Sequence, residues 1–353
     1  MKTFSLLLGL LLLAITASEA WAKRASPKPV PPVVHDGVKY VAPNANGRQG
    51  RIEARNEKTG EKLWEAVIYT VKIDPNLEAD VQWVYITGLA IHDGRLHVTN
   101  EKNERYVLDL KTRAVEKGLS GDRVATDQGV LVVHPVRHAS LLLQCSGKTI
   151  YADPVGGGEA FAGLPRPDLV LVTHIHFDHF DPTTLAALAP PTGQLTIIVP
   201  KSVAEKIPET LRGKTDVKIL ANGEKTEVQG IGIEAVAAYN ITPGKEKFHP
   251  QGRDNGYVLT LGGKRIYIAG DTEDTAEMRA LKDIDIAFLP MNQPYTMTVS
   301  KAADAIRQFK PKIVYPYHYR SGNGTMADMA ELKRMVGRDS GVEIRARDWY
   351  PKP

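Results

Sequence analysis

One cysteine, Cys145, stands among 353 residues, so no disulfide can close within the chain. It sits in the apolar run Leu141–Cys145, where a thiol serves as a small core side chain. The formal charge of +4 is modest, and no basic run is interleaved with aromatics, which argues against a nucleic-acid partner. Past the N-terminal leader there is no apolar run long enough for a transmembrane helix. The chain has no Ser–His–Asp pattern, and Gly156-Gly157-Gly158 lacks the Lys-Ser/Thr of a phosphate loop.

What is present suggests an exported protein of two parts, with 42% apolar residues and enough length to bury a substantial core. Lys2, the apolar run Leu6–Ile15 and Ala20-Trp21-Ala22 lay out a signal peptide over residues 1–22, which implies a periplasmic or secreted protein without a stable membrane span after cleavage. Residues 23–36 carry Pro27, Pro29, Pro31 and Pro32 and read as an extended tether. From 37 to 120, short apolar runs alternate with turn signals such as Thr59-Gly60 and Asp93-Gly94, which predicts a small β-domain. Within it, GRIEARNEKTGEKLWEAVIY (Gly50–Tyr69) and the partial copy YVLDLKTRAV (Tyr106–Val115) resemble blade repeats of quinoprotein-type β-propellers. Two copies are too few to close a propeller. Residues 128–350 alternate strand and helix patterns, as a layered α/β domain does.

The chemistry concentrates after one strand. Leu169–Val172 is apolar, and the loop beyond it brings His174, His176, Asp178 and His179 within six positions. Alternate residues at a strand end share a face, so His174 and His176 can point together while Asp178 and His179 look back at an adjacent point. Imidazole with carboxylate is a donor set for zinc, and two such ions about 3.5–4 Å apart can clamp both ends of a displacement. Manganese and iron accept the same donors.

HxHxDH after an apolar strand closely resembles the metallo-β-lactamase superfamily of metallohydrolases, and the likeness extends from about Gly129 to Trp349. It implies an α/β fold, the metallo-β-lactamase αββα sandwich, with the small β-domain ahead of it. It also implies two divalent metal ions. Gly270-Asp271-Thr272 matches the family signature whose Asp bridges both ions, with Gly270 allowing close approach of the backbone, and His318 falls where the family places the last histidine of the second pocket. The resemblance gives Asp153 the support of a ligating histidine, since a carboxylate on the far N–H fixes the ring's tautomer. It places His138 near the mouth of the site as a candidate for substrate contact. Asn240 departs from the pattern, standing where the third histidine of the first pocket belongs. His249 downstream is the candidate substitute, and AYN followed by FHP resembles the subset related to ascorbate-6-phosphate lactonase-like proteins. Asn292, Tyr295 and Thr296 follow the strand Ile284–Leu289 and are candidates for lining the pocket.

The expected first pocket is therefore His174, His176 and Asp271, and the second is Asp178, His179, Asp271 and His318. Asp178 is also the candidate for orienting the nucleophilic water or handling its proton. The expected activity is hydrolysis of a small-molecule phosphodiester or lactone-like ester. The alternatives are a binding protein that retains metal without turnover and a β-lactam hydrolase, the latter disfavoured by Asn240 and by the absence of a pocket cysteine.

Overall fold

The computed structural model describes residues 27–350 except 93 and 103, so the expected signal peptide lies outside the described residues. The chain divides between Gly118 and Leu119 into two compact units. No helix among the described residues is long and apolar enough to cross a membrane.

The first unit holds two antiparallel meanders, each paired in chain order. One contains β1 (Val33–His35), β2 (Val38–Val41), β3 (Gln49–Asn56) and β4 (Lys62–Thr70); the other contains β5 (Ile86–His92), β6 (Arg95–Asn100), β7 (Arg105–Asp109) and β8 (Val115–Gly118). Alternate residues point one way along a strand, so Ile52 and Ala54 of β3 and Leu96 and Val98 of β6 enter a shared core, where Tyr69 and Tyr106 stack at 5.0 Å. The two quoted repeats form the same turn. Asn56 Oδ1 accepts the N–H groups of Lys58 and Thr59, as Asp109 Oδ1 accepts those of Lys111 and Thr112. The tether expected over 23–36 gives way to β1 before its end. Asp36 and Gly37 both take positive φ, 49° and 74°, forming the tight turn that returns β1 onto β2.

The second unit is built on two seven-stranded sheets. The first comprises β9 (Asp122–Thr126), β10 (Gly129–Arg137), β11 (Ser140–Cys145), β12 (Lys148–Ala152), β13 (Leu169–Leu171), β14 (Leu195–Val199) and β15 (Thr215–Ile219). Its outer face carries α1 (Pro182–Leu188), α2 (Lys201–Ala204) and α3 (Glu209–Arg212), packed through Leu185, Val203 and Leu211 onto Leu142, Val170 and Ile197. The second comprises β16 (Lys225–Val228), β17 (Ile231–Ala238), β18 (Asp254–Leu261), β19 (Lys264–Ile268), β20 (Ile286–Pro290), β21 (Ile313–Tyr317) and β22 (Glu343–Ile344). It is covered by α4 (Ala276–Ala280), α5 (Val299–Phe309) and α6 (Met329–Val336) through Met278, Ile306 and Leu332. Between the sheets, Leu143, Ile150 and Leu171 meet Leu259, Ile266 and Phe288, with Cys145 and Trp349 buried beside them. The result is an αββα sandwich. Central parallel strands such as β13 are apolar throughout because both faces are covered.

Local capping refines two boundaries. Residues 300–309 read as a helix capped by Ser300, but Thr298 Oγ1 accepts the Lys301 N–H at 3.2 Å, so α5 begins at Val299. Likewise residues 327–336 read as a closing helix, but Asp328 Oδ1 accepts the N–H groups of Ala330 and Glu331, so α6 begins at Met329.

Candidate metal centre

In the first sheet β12 and β13 run parallel; in the second, β19, β20 and β21 do, and β17 shares their direction through two antiparallel pairings. Their C-terminal ends gather at one edge of the sandwich. Asp153 follows β12, the 174–179 loop follows β13, Asn240 and His249 follow β17, Asp271 follows β19, and His318 follows β21. His138 enters from the turn between β10 and β11.

These side chains converge. Three sets each bring one donor atom per residue within 4.8 Å of the others: His174, His176 and His249; His138, Asp178 and His318; and His174, His179 and Asp271. Asp271 divides its oxygens between the groups. Its Oδ2 lies 3.4 Å from His249 Nε2 and 4.0 Å from His174 Nε2, while its Oδ1 lies 3.4 Å from both His179 Nε2 and His318 Nε2. His318 Nε2 is also 3.4 Å from Asp178 Oδ2.

Several of these buried donors have no hydrogen bond: both ring nitrogens of His249 and His318, His179 Nε2, and Asp271 Oδ1. Buried polar atoms are seldom left so, because each unpaired one costs about 1–3 kcal/mol. Four of these six atoms, Nε2 of His179, His249 and His318 and Oδ1 of Asp271, meet around the Asp271 carboxylate, and imidazole with carboxylate is a donor set that fits divalent cations.

The charges point the same way. Burial pushes the Asp271 carboxyl up, but His318 and His179 outweigh it and hold the group well below the usual carboxylate range. Burial pushes His179 down, yet Asp271, Asp153 and Asp178 raise it to about 10. The carboxylates therefore demand positive charge at this ring. His174, walled in and beside His179, is driven well below its ordinary value by burial, so it stays a neutral donor. Asp178 is pushed up by burial but held far lower by His138, His318 and His179.

A supporting layer fixes these rings. Asp153 Oδ1 accepts the Thr173 N–H, and its Oδ2 accepts from Thr173 Oγ1 and His179 Nδ1, each at 2.7 Å. With Nδ1 held by Asp153, Nε2 is the His179 nitrogen turned to the centre and the one that a cation would take in place of a proton. Ser140 Oγ holds the Asp153 carbonyl at 2.6 Å. Gly270, at φ 64°, makes its close approach to Thr173 and the Asn255 carbonyl rather than to the centre, since a Cβ there would lie 2.9 Å from Thr173 Cβ. Three site residues other than glycine also take positive φ: His138, Asp153 and His318, at 52°, 45° and 44°.

His249 is not carried on a loose loop. It is buried, its carbonyl accepts the Asn240 N–H at 2.9 Å, and its ring lies 4.9 Å from that of His176. Asn240 is buried, its Nδ2 donating to the Lys245 and Tyr295 carbonyls and its Oδ1 left without a hydrogen bond. His138 is partly exposed, with Nε2 3.1 Å from Asp178 Oδ2 and its ring 3.9 Å from that of His318. Tyr295 stacks edge-on against Phe248, Asn292 is buried, and Thr296 Oγ1 accepts the Asn292 N–H, so it closes a turn rather than lining a pocket.

Three contributors escaped the sequence reading. Glu273 is buried and accepts the N–H groups of Ile241 and Thr242, which ties down the loop bearing His249. Tyr350 Oη sits 3.1 Å from His138 Nδ1. Thr173, between the strand Leu169–Leu171 and His174, joins Asp153 to His179 and His174. Glu273, adjoining the Gly-Asp-Thr signature, carried the one local hint.

Residues 133–318 match the family described as the β-lactamase superfamily domain. The chain belongs to that superfamily. A UPF0173 metal-dependent hydrolase of Pyrococcus abyssi is 34% identical over 217 residues, covering 59% of this chain and 92% of that protein. One from Thermus thermophilus is 31% identical over 219 residues, with the same shares of 59% and 92%. A solved structure described as a metal-dependent hydrolase from Parabacteroides distasonis is 45% identical at a TM-score of 0.57, covering 65% of this chain and 99% of that one. The metallo hydrolase Igni18 of Ignicoccus hospitalis, 23% identical at a TM-score of 0.52 over 62% of this chain and 95% of its own, shares the fold. This superfamily member is a metal-dependent hydrolase.

Proposed function

We propose that the enzyme hydrolyses a small-molecule phosphodiester or lactone-like ester with two divalent metal ions, zinc being the best match to its donors. The observation that carries this reading is the division of Asp271 between two groups of imidazoles. His174, His176 and His249 with Asp271 Oδ2 would hold one ion. Asp178, His179 and His318 with Asp271 Oδ1 would hold the other. His249 would supply the third imidazole that Asn240 does not.

A pair of such ions, when bound, supplies a water acidic enough to ionise near neutral pH and a Lewis acid for the oxygen of the scissile bond. The chain's own residues do the rest. Asp178, whose side chain is 27% exposed against 4% for Asp271, is the carboxylate that reaches solvent and can orient the attacking water, although the histidines around it make it a weak base. His138 holds Asp178 from behind and is itself steadied by Tyr350. Asp153 keeps the His179 tautomer. Residues 1–22 support action outside the cytoplasm, as a periplasmic or secreted enzyme.

Metal analysis of the purified protein with turnover of bis-p-nitrophenyl phosphate and a simple lactone tests the reading. About two ions per chain and hydrolysis of at least one substrate, lost in His176→Ala, are the expected result. Full metal occupancy with neither substrate turned over would overturn it.

A further inference from the structure

Large apolar side chains left exposed in the second unit lie toward one edge of the sandwich. Phe177, Ile219, Ile241 and Met326 are the four such residues among those described there. Phe177 follows β13, Ile219 ends β15, Ile241 follows β17 and Met326 follows β21. By strand direction all four lie at the edge that bears the metal centre. Chance scatter would leave some at the opposite edge or on the helices.

Phe177 is the extreme case. It is 88% exposed, and it is bonded directly to His176 and Asp178, two residues of the proposed metal pockets. A phenyl ring so placed gains nothing from the fold, because its neighbours in the chain face inward while it faces solvent. It does gain when a ligand covers it. A separate cleft of about 520 Å³, which neither Phe177 nor a proposed ligand lines, has Ile219 and Leu220 beside Lys201, Glu205 and Arg253. That volume lies within the usual range for small-molecule sites.

We propose that the ester substrate bears an alkyl or aryl group that lies against Phe177 while its polar head occupies the metal centre, so that the enzyme selects apolar esters over short polar ones. This rests on the hydrolase reading above, with phosphate or carboxylate oxygens at the metals. Phe177 acts by covering apolar surface of the substrate, and its contribution grows with the length of chain it covers.

The test is calorimetric titration of the metal-loaded protein with n-alkylphosphonates from ethyl to octyl, in wild type, Phe177→Ala and Phe177→Leu. Partial burial of each methylene gives about a twofold rise in affinity per carbon for the wild type. In Phe177→Ala the loss increases with chain length, reaching about tenfold for octyl and staying under about twofold for ethyl. Phe177→Leu retains part of the slope. Wild-type affinity independent of chain length, or an equal loss for all chains in Phe177→Ala, overturns the proposal, as does failure of every phosphonate to bind. Phe177→Leu supplies the same comparison should Phe177→Ala lose metal or melt early. A chelated control separates the two ideas: ethylphosphonate binding that persists without metal contradicts the metal-pair reading, whereas the slope with chain length reports on Phe177 alone.

Discussion

His249 Nε2 lies 3.4 Å from Asp271 Oδ2, and the His249 ring is buried with neither nitrogen hydrogen-bonded. An imidazole held in that state has a destination. His249→Ala is expected to lower the metal content from about two ions to about one, whereas Asp271→Asn, which weakens both groups at once, should abolish stable binding of either. Turnover should fall more than about 100-fold in both, beyond what loss of an outer hydrogen bond causes. Emission spectrometry on dialysed protein gives the stoichiometry. Unchanged content in His249→Ala would place the ligand elsewhere.

Asp153 acts through His179. Asp153→Asn keeps the shape but no longer offers two acceptor oxygens to Thr173 and the ring. Metal affinity should drop about 10- to 100-fold with the fold retained. A competition titration against a chromogenic chelator reads this, with circular dichroism to check the fold.

Metal removal should cost stability, because Asp271 and the imidazoles are then left buried without their counter-charge. Ions at about 1,000 times their dissociation constant stabilise by about 4 kcal/mol. For a domain of this size each kcal/mol moves Tm by about 2–4 °C. Calorimetry with and without chelator should show the shift in the second unit's transition; superimposable curves would count against tight binding.

Glu273→Ala should loosen the His249 loop without touching a proposed ligand. It deprives the Ile241 and Thr242 N–H groups of their acceptor, at a cost on the order of 2 kcal/mol. The expected signature is weaker binding of one ion with the other retained, read by stepwise metal titration.

His134 gives a pH dependence away from the centre. Burial lowers its pKa, and the Ser120 carbonyl at 2.6 Å offsets this only in part. The unfolded chain, titrating near about 6.5, therefore takes up a proton before the folded one does. Its contribution is fully present above that pH and declines as the pH falls through it. Urea midpoints between pH 8 and about 5 should fall less steeply in His134→Asn than in wild type.

Much of this was legible in short stretches. The apolar run 169–172 and the residues after it declare both a strand end and its donors, because period and composition are local properties. The turn at Thr59-Gly60 was visible for the same reason, since Gly60 takes positive φ there, whereas Arg113 takes it at the matching turn after Asp109 and gives no such signal. The Pro-rich stretch concealed β1, whose pairing depends on the turn after it. His249 could be suspected from its motif but not located, since spacing along a loop fixes no distance to Asp271. Tyr350 meets His138 across most of the domain's length, and no pattern in the chain signals such a meeting.

The left-handed backbone at His138, Asp153 and His318 constrains what can ever replace them. Only a few residue types tolerate that conformation, histidine, aspartate and asparagine among them. The scaffold thus restricts these positions before any chemistry is considered, and most substitutions there would disturb the main chain as well as the donor set. A lineage drifting away from catalysis would find its easiest exits through glycine and asparagine, so those two residues at these three places are the marks by which a retired copy of this enzyme could be told from a working one.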